Sequence, residues 1–377
     1  MPERRLATAP SIGSDAAPER PAGGGPPRAS NRVRGYRRIG AHENFFLCSA
    51  ICSAGKALGS DIDDLLFYAA HTGDLFTPLY AAEAGNPDNL PCDSGLTNYF
   101  FDPLAVKKAF AAMGRGCVYL SNAKIREDFR AAMDAVKASV DRGVPVVAWG
   151  MGNVITRSGT RHDPMGEGCL IGGYEGDTLL VNLYPGPERL PEGSVDADGY
   201  SAIEGGLDTA LGLFFAGERL AGHDPRAVCQ EAIRSIPLFL SLAPARGYEG
   251  RAYAFGQRAF EAWAQTLLDD RLVEGRNEAQ LREAWWNLHG SPYCCVCTAA
   301  AWDFVGKAAE TYSDMDIARR LLPLYGKLRE GKDELWALAG GFWVPADVFA
   351  TRGFRAGAAE ILRRMGGVCA EILRAFA

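Results

Sequence analysis

The hydrophobic pattern changes character near residue 225, and the part before it alternates short apolar runs with helical segments. The runs are continuously apolar, as is typical of strands covered on both faces. They comprise residues 117–120, 144–149, 169–174 and 178–183. A Glu-Gly-Asp sequence at 175–177 joins the last two runs, so we predict a tight hairpin there.

Four helices are predicted in the same part of the chain, three before the first run and one between the first two. Small residues recur through 45–58 and allow close packing, and Gly59 is a C-terminal stop. A capping-box variant opens a second helix at 61–70. Asp102 followed by Pro places proline at the first position of a third helix. Residues 125–142 are predicted to be mostly helical.

Beyond residue 225 the apolar positions follow helical spacing. Phe260, Trp263 and Leu267 share one helical face, with Arg and Glu on the others. This pattern predicts a helical bundle. The first 35 residues are rich in Pro, Gly, Ala and Arg, which is typical of disorder. The predicted organisation is a disordered tail at 1–35, an α+β domain at 36–220 and an α-helical domain at 221–377.

Composition narrows the classes of partner and the compartment. The chain has 377 residues, a net charge of −6 and ten cysteines. The negative charge argues against nucleic acid as the main partner, and no apolar run reaches the length of a membrane span. The N-terminus lacks the apolar core of a secretory signal. We therefore expect a cytoplasmic protein with reduced thiols, no nucleic-acid or membrane partner, and no disulfide framework.

Four motifs in this order resemble a bacterial family. They are Asp-Pro at 102–103, Gly-Val-Pro-Val-Val-Ala-Trp at 143–149, Gly-Gly-Tyr-Glu-Gly-Asp at 172–177 and Phe-Gly-Gln-Arg-Ala-Phe-Glu-Ala-Trp at 255–263. The chain resembles two-domain proteins related to the N-terminal domain of butirosin biosynthesis protein H, across about 40–375. That family is related to bacteriocin leader peptidases. The resemblance implies a papain-like fold and thiol-dependent amide cleavage or acyl transfer. We expect no cofactor and no metal.

The resemblance also implies roles for individual residues. Cys48 matches the nucleophile, with Cys52 one helical turn later as the fallback. Asn182 matches the residue that orients the base. Glu167 stands where the family has histidine, and it is a candidate base or a binder of a cationic substrate.

Five further residues complete the predicted site. His162, in a polar loop after Trp149, is a candidate base, and His42 is a weaker one. Glu43 and Asn44 precede Cys48 where an oxyanion donor would lie. Trp149, with Glu43, His42 and Glu167, is assigned to substrate binding.

Several simpler interpretations stay open. A cysteine at a helix N-terminus has a lowered pKa, but free cysteines are also among the most buried residues. Cys294, Cys295 and Cys297 suit helix packing better than a zinc site. The chain is either a thiol enzyme of secondary metabolism or an inactive protein that binds a ligand between its domains. The expected substrate is a small molecule, a peptide or a carrier-protein-bound acyl group, and oligomerisation is open.

Overall fold

The fold joins a large antiparallel sheet to a helical C-terminal region. The computed structural model describes residues 29–36, 45–81, 95–100, 102–151, 154–156, 161–162, 168–182, 195–247, 250–282, 284, 298–341 and 344–377. The strands, numbered in chain order, are β1 Ser30–Arg32, β2 Leu79–Ala81, β3 Arg115–Ser121, β4 Val146–Trp149, β5 Val154–Thr156, β6 Arg161–His162, β7 Gly168–Glu175, β8 Thr178–Asn182, β9 Ser201–Glu204, β10 Gly212–Arg219, β11 Ala245–Arg246 and β12 Ala252–Phe255.

The α-helices are numbered in the same way. They are α1 Phe46–Ala57, α2 Leu65–Thr72, α3 Pro103–Ala112, α4 Asn122–Glu127, α5 Phe129–Asp141, α6 Pro225–Arg234, α7 Ile236–Leu240, α8 Gln257–Leu268, α9 Ala301–Thr311, α10 Asp316–Ala339, α11 Ala346–Ala350 and α12 Arg352–Arg374. In the described ranges, no helix is both long and apolar enough to cross a membrane.

Within the described residues, nine strands form the large sheet. Its order is β3-β10-β4-β7-β8-β9-β5-β6, with β1 also paired to β7. All of these pairs are antiparallel. β7 and β8 are joined by a turn at Gly176, where φ is 61°, so the predicted hairpin is confirmed. The large sheet carries α1 on one face and α5 on the other.

Local signals account for most helix ends. Asp102 caps α3 through a hydrogen bond from Leu104 N, and Pro103 occupies its first turn, as predicted. Gly59 follows the end of α1 with φ of 77°. α2, however, begins at Leu65 rather than at 61, because the capping carboxylate is that of Asp64. The segment predicted at 125–142 is two helices, and Asp128 caps the second.

One apolar core crosses the predicted boundary at residue 220. It contains residues of α1, α2, β4 and β7 together with residues of α8, α10 and α12. A second sheet also spans the boundary, since β2 of the first half pairs with β12 of the second. Phe76 contacts the rings of Phe304 and Tyr325, with centroid distances of 5.9 and 6.3 Å. The two predicted regions therefore share their interior.

Residues 30–32, which the sequence analysis assigns to a disordered tail, form strand β1. Arg32 bonds to Glu175, Asp196 and Asp198, and Val33 N donates to Gly172 O at 2.7 Å. These partners lie about 140 or more residues away in the chain, so the local composition gives no sign of them. Tertiary contacts outweigh the disorder-promoting composition here.

Candidate functional site

The ends of several elements meet at one end of the large sheet. Trp149, the last residue of β4, is the register partner of Gly168, the first residue of β7. Asn182, the last residue of β8, lies opposite Leu170 of β7. The N-terminal turn of α1 lies over this sheet end. Loops that leave a rigid scaffold at one place are common positions for binding and catalysis.

The contact between α1 and β7 is backbone against backbone. A Cβ atom at Gly168 would lie 2.4 Å from Leu47 Cα and 2.9 Å from Leu47 N. Leu170, two residues on, belongs to the core that includes α1, so Gly168 faces the same side. The inward position at the start of β7 therefore has no room for a side chain, and β7 supplies no base from it.

Cys48 lies in the first turn of α1 and is fully buried. Its Sγ donates to Asp74 Oδ2 at 3.1 Å and lies 3.3 Å from Thr72 Oγ1. No imidazole among the described residues is a hydrogen-bond partner of this sulfur. The thiol thus points to the corner that follows α2.

The carboxylate of Asp74 is the centre of this polar cluster. Asp74 is 1% exposed. Its Oδ1 accepts from Thr97 N at 2.7 Å, and its Oδ2 accepts from Thr72 Oγ1 at 2.8 Å and Thr97 Oγ1 at 2.9 Å, as well as from Cys48. All four donors are neutral. We name Cys48, Thr72, Asp74 and Thr97 the Asp74 cluster.

Two glycines allow the cluster to form. Gly73 ends α2 with φ of 87°, a left-handed conformation that glycine adopts easily. The turn brings the carboxylate of Asp74 back beside Thr72 at the end of the helix. Gly95 has φ of 103°, and a Cβ there would lie 2.8 Å from Asp74 Oδ1. The turn Leu96–Asn98 can approach the carboxylate closely only because residue 95 is glycine.

Burial and charge set the protonation of the two acids. Burial raises the pKa of Cys48 well above its ordinary value, and the negative charge of Asp74 raises that pKa further. Of the two interpretations of Cys48 that the sequence left open, the structure agrees with the buried cysteine and not with a lowered pKa. Burial also raises the pKa of Asp74, while the hydrogen bonds from Thr97, Cys48 and Thr72 oppose that rise. At neutral pH Cys48 is a neutral thiol that acts as a hydrogen-bond donor.

Asn182 and Trp149 are also buried. Asn182 lies on the same face of the sheet as Leu170, because directly opposed residues share a face. Its Nδ2 donates to Gly199 O at 3.2 Å, which ties β8 to the turn before β9. Trp149 is 0% exposed, and its side chain belongs to the core beneath α1.

The remaining predicted residues are further away or outside the description. His162 lies in β6, and β6 is separated from β7 by β8, β9 and β5. His42, Glu43, Asn44 and Glu167 lie outside the described residues. So do Cys294, Cys295 and Cys297. Their roles stay predictions.

Cys52, the fallback nucleophile, is fully buried as well. Its sulfur lies one helical turn beyond Cys48, 4.0 Å from Asp63 Oδ1. Both candidate thiols are therefore enclosed, and each has a carboxylate as a neighbour.

Sequence reasoning missed Asp74, Thr72 and Thr97, because residues 71–100 have the composition of a loop. One signal was present. Asp74 is a lone acid in the apolar sequence from Leu65 to Ala81, and a carboxylate in such a run needs hydrogen-bond donors on folding. That signal predicts a buried acid but does not identify its partners.

Comparison with known proteins adds no assignment. The chain matches no protein-family model, and a search of curated proteins finds no significant match.

Proposed function

We propose that this chain is a papain-like protein that binds a small amino-acid-derived ligand or a peptide without using Cys48 as a nucleophile. The observation that carries the proposal is the state of the Cys48 thiol. It is enclosed, neutral and hydrogen-bonded to a buried carboxylate. A thiolate is required for nucleophilic attack, and reactive cysteines lie in partly exposed, electropositive surroundings. Cys48 has neither property.

Gly168 supports the same conclusion. The expected base position, residue 167, lies outside the described residues. The next position, Gly168, cannot supply a base, because a Cβ there would collide with the backbone of Leu47. The binding site that we propose lies just beyond the sheet end where the buried residues Trp149, Gly168 and Asn182 meet the N-terminal turn of α1, since strand ends converge there.

A second candidate is a thiol-dependent amide hydrolase or acyltransferase, supported by the position of Cys48 in the first turn of α1. In that reaction the sulfur attacks an amide or thioester carbonyl, the bond to the leaving group breaks, and an acyl-Cys48 thioester forms. The acyl group then passes to water or to an amine. Such an enzyme must first expose the thiol and remove its proton.

One experiment separates the two functions. The chain and its Cys48→Ser variant are incubated with N-acetyl amino acid amides and with the matching N-acetylcysteamine thioesters. Thermal unfolding and intact mass are measured. We expect some amides to raise the unfolding midpoint of both proteins equally, with no acyl mass added to Cys48. An acyl adduct that Cys48→Ser abolishes would establish the enzyme instead. If no amide raises the midpoint, the proposed ligand class is wrong.

A further inference from the structure

Asp74 is an unusual neighbour for a cysteine at a helix N-terminus. Its Oδ2 lies 3.1 Å from Cys48 Sγ, whereas reactive cysteines are placed beside Lys, Arg or protonated His. We propose that Asp74 is a positioning residue that suppresses thiolate formation at Cys48. This inference rests on the proposed function, because it specifies how the thiol is kept unreactive.

The geometry of the carboxylate supports this role. Both oxygens of Asp74 accept hydrogen bonds, and Thr97 alone supplies two of the four. These donors stabilise the ionised carboxylate rather than its protonated form. Ionisation of Cys48 would place two negative charges about 3.1 Å apart in a buried site. The repulsion between them is strong there, because no water screens it. The thiol proton therefore stays on sulfur and points at Oδ2.

The opposite role for Asp74, a general base, requires the reverse order of acidities. The proton would leave Sγ for Oδ2, and the thiolate would remain beside a neutral acid. The four hydrogen bonds to the carboxylate oppose this transfer, because they are strongest while Asp74 is charged. The geometry thus favours suppression over activation.

Other groups near the sulfur set the size of the expected effect. Cys52, on the same helix, acts on Cys48 in the same direction as Asp74. Burial is the largest cause of the raised pKa of Cys48, and the charge of Asp74 is the second. Removing that charge should lower the pKa of the thiol only partway towards its ordinary value. We expect at least about a tenfold rise in the thiolate population at a given pH.

The test is a titration of the Cys48 thiolate in the folded chain. Thiolate absorbance in the ultraviolet is measured against pH, and the curve of the Cys48→Ser variant is subtracted. The same subtraction is made in an Asp74→Asn background. We expect no Cys48 titration at or below pH 9.0, the ordinary value, in the unsubstituted chain. In the Asp74→Asn background the titration should move down by one pH unit or more.

Thr97→Val is the matched control, because it removes one donor to Asp74 but keeps the charge. It should not lower the pH of the titration. An equal shift in Thr97→Val and Asp74→Asn would indicate simple loosening and overturn the proposal, as would no shift in Asp74→Asn. If Asp74→Asn does not fold, Asp74→Ser replaces it. If Cys48 stays unreactive and Asp74→Asn does not shift its titration, the proposed function still holds. Burial alone would then suppress the thiolate.

Discussion

The backbone contact between Gly168 and Leu47 limits what the sheet can supply to Cys48. A side chain at residue 168 would displace α1, since its Cβ would lie 2.4 Å from Leu47 Cα. Cys48 follows Leu47, so the contact that brings α1 onto β7 also directs the thiol to Asp74 on the other side. Close packing of α1 on β7 therefore excludes a base at residue 168.

His71 is a half-buried titratable residue, and it makes stability depend on pH. Its Nε2 has no hydrogen-bond partner in the described part of the chain, and its ring contacts Phe67 at a centroid distance of 4.8 Å. Burial lowers the pKa of His71 from 6.5 to about 4, and the charge of Lys108 adds to this. The folded chain therefore keeps His71 neutral where the unfolded chain protonates it.

We predict that His71 destabilises the fold in acid. Below pH 6.5 the unfolded state binds a proton that the folded state binds only near pH 4, so the free energy of unfolding falls across that window. The full difference corresponds to about 3 kcal/mol. Urea unfolding at pH 4 and pH 7 should show a smaller loss in His71→Leu than in the unsubstituted chain. The raised pKa of Asp74 acts in the opposite direction in both proteins. Equal losses in the two proteins would contradict the assignment.

Among the elements, β1 depends on charge more than on apolar burial. Arg32 bridges Glu175 at 3.2 Å, Asp196 at 2.8 Å and Asp198 at 3.4 Å. Its side chain is 29% exposed, which reduces screening by water. Asn31 adds a hydrogen bond from its Nδ2 to Asp141. One guanidinium thus holds β1 beside three carboxylates that would otherwise repel one another.

We predict that Arg32→Ala releases β1 from β7. Loss of the charged hydrogen bonds should lower the free energy of unfolding by about 2 kcal/mol. It should also speed amide exchange at Val33, whose N–H bonds to Gly172 O. Urea unfolding and hydrogen exchange measure the two effects. Arg226→Ala is the control, since its pair with Asp314 is exposed and should matter less. Equal effects of the two substitutions would show that β1 is held by other contacts.

The same contrast explains what the sequence could predict. Strands β4, β7 and β8 are continuous apolar runs, and a run of that kind carries its own burial signal. β1 reads Ser-Asn-Arg, and its pairing comes from carboxylates far along the chain. Cys48 became a candidate through the family resemblance, but Asp74 did not, because the left-handed turn at Gly73 and the approach of Gly95 bring its partners together only in the folded chain.

At the scale of the whole molecule, the shared core couples the sheet region to the helical region. β2 pairs with β12, and Phe76 lies between the Asp74 cluster and the helices α9 and α10. Domains that unfold separately have a small polar interface. Here the apolar core is continuous from Phe45 to Ile372. The boundary predicted at residue 220 therefore marks a change in secondary structure within one core.

We predict that the two regions unfold together and that Phe76→Ala destabilises both equally. Phe76 is fully buried, so the lost packing should reduce the free energy of unfolding by about 3–5 kcal/mol. Hydrogen exchange in increasing urea, read by mass spectrometry on peptides from β7, β8, α8 and α12, gives a midpoint for each region. All four midpoints should coincide in the unsubstituted chain and fall together in Phe76→Ala. Phe129→Ala, at a site 41% exposed, should change them little. Two separate midpoints would mean that the regions are independent, and a ligand site between them could then open by domain motion.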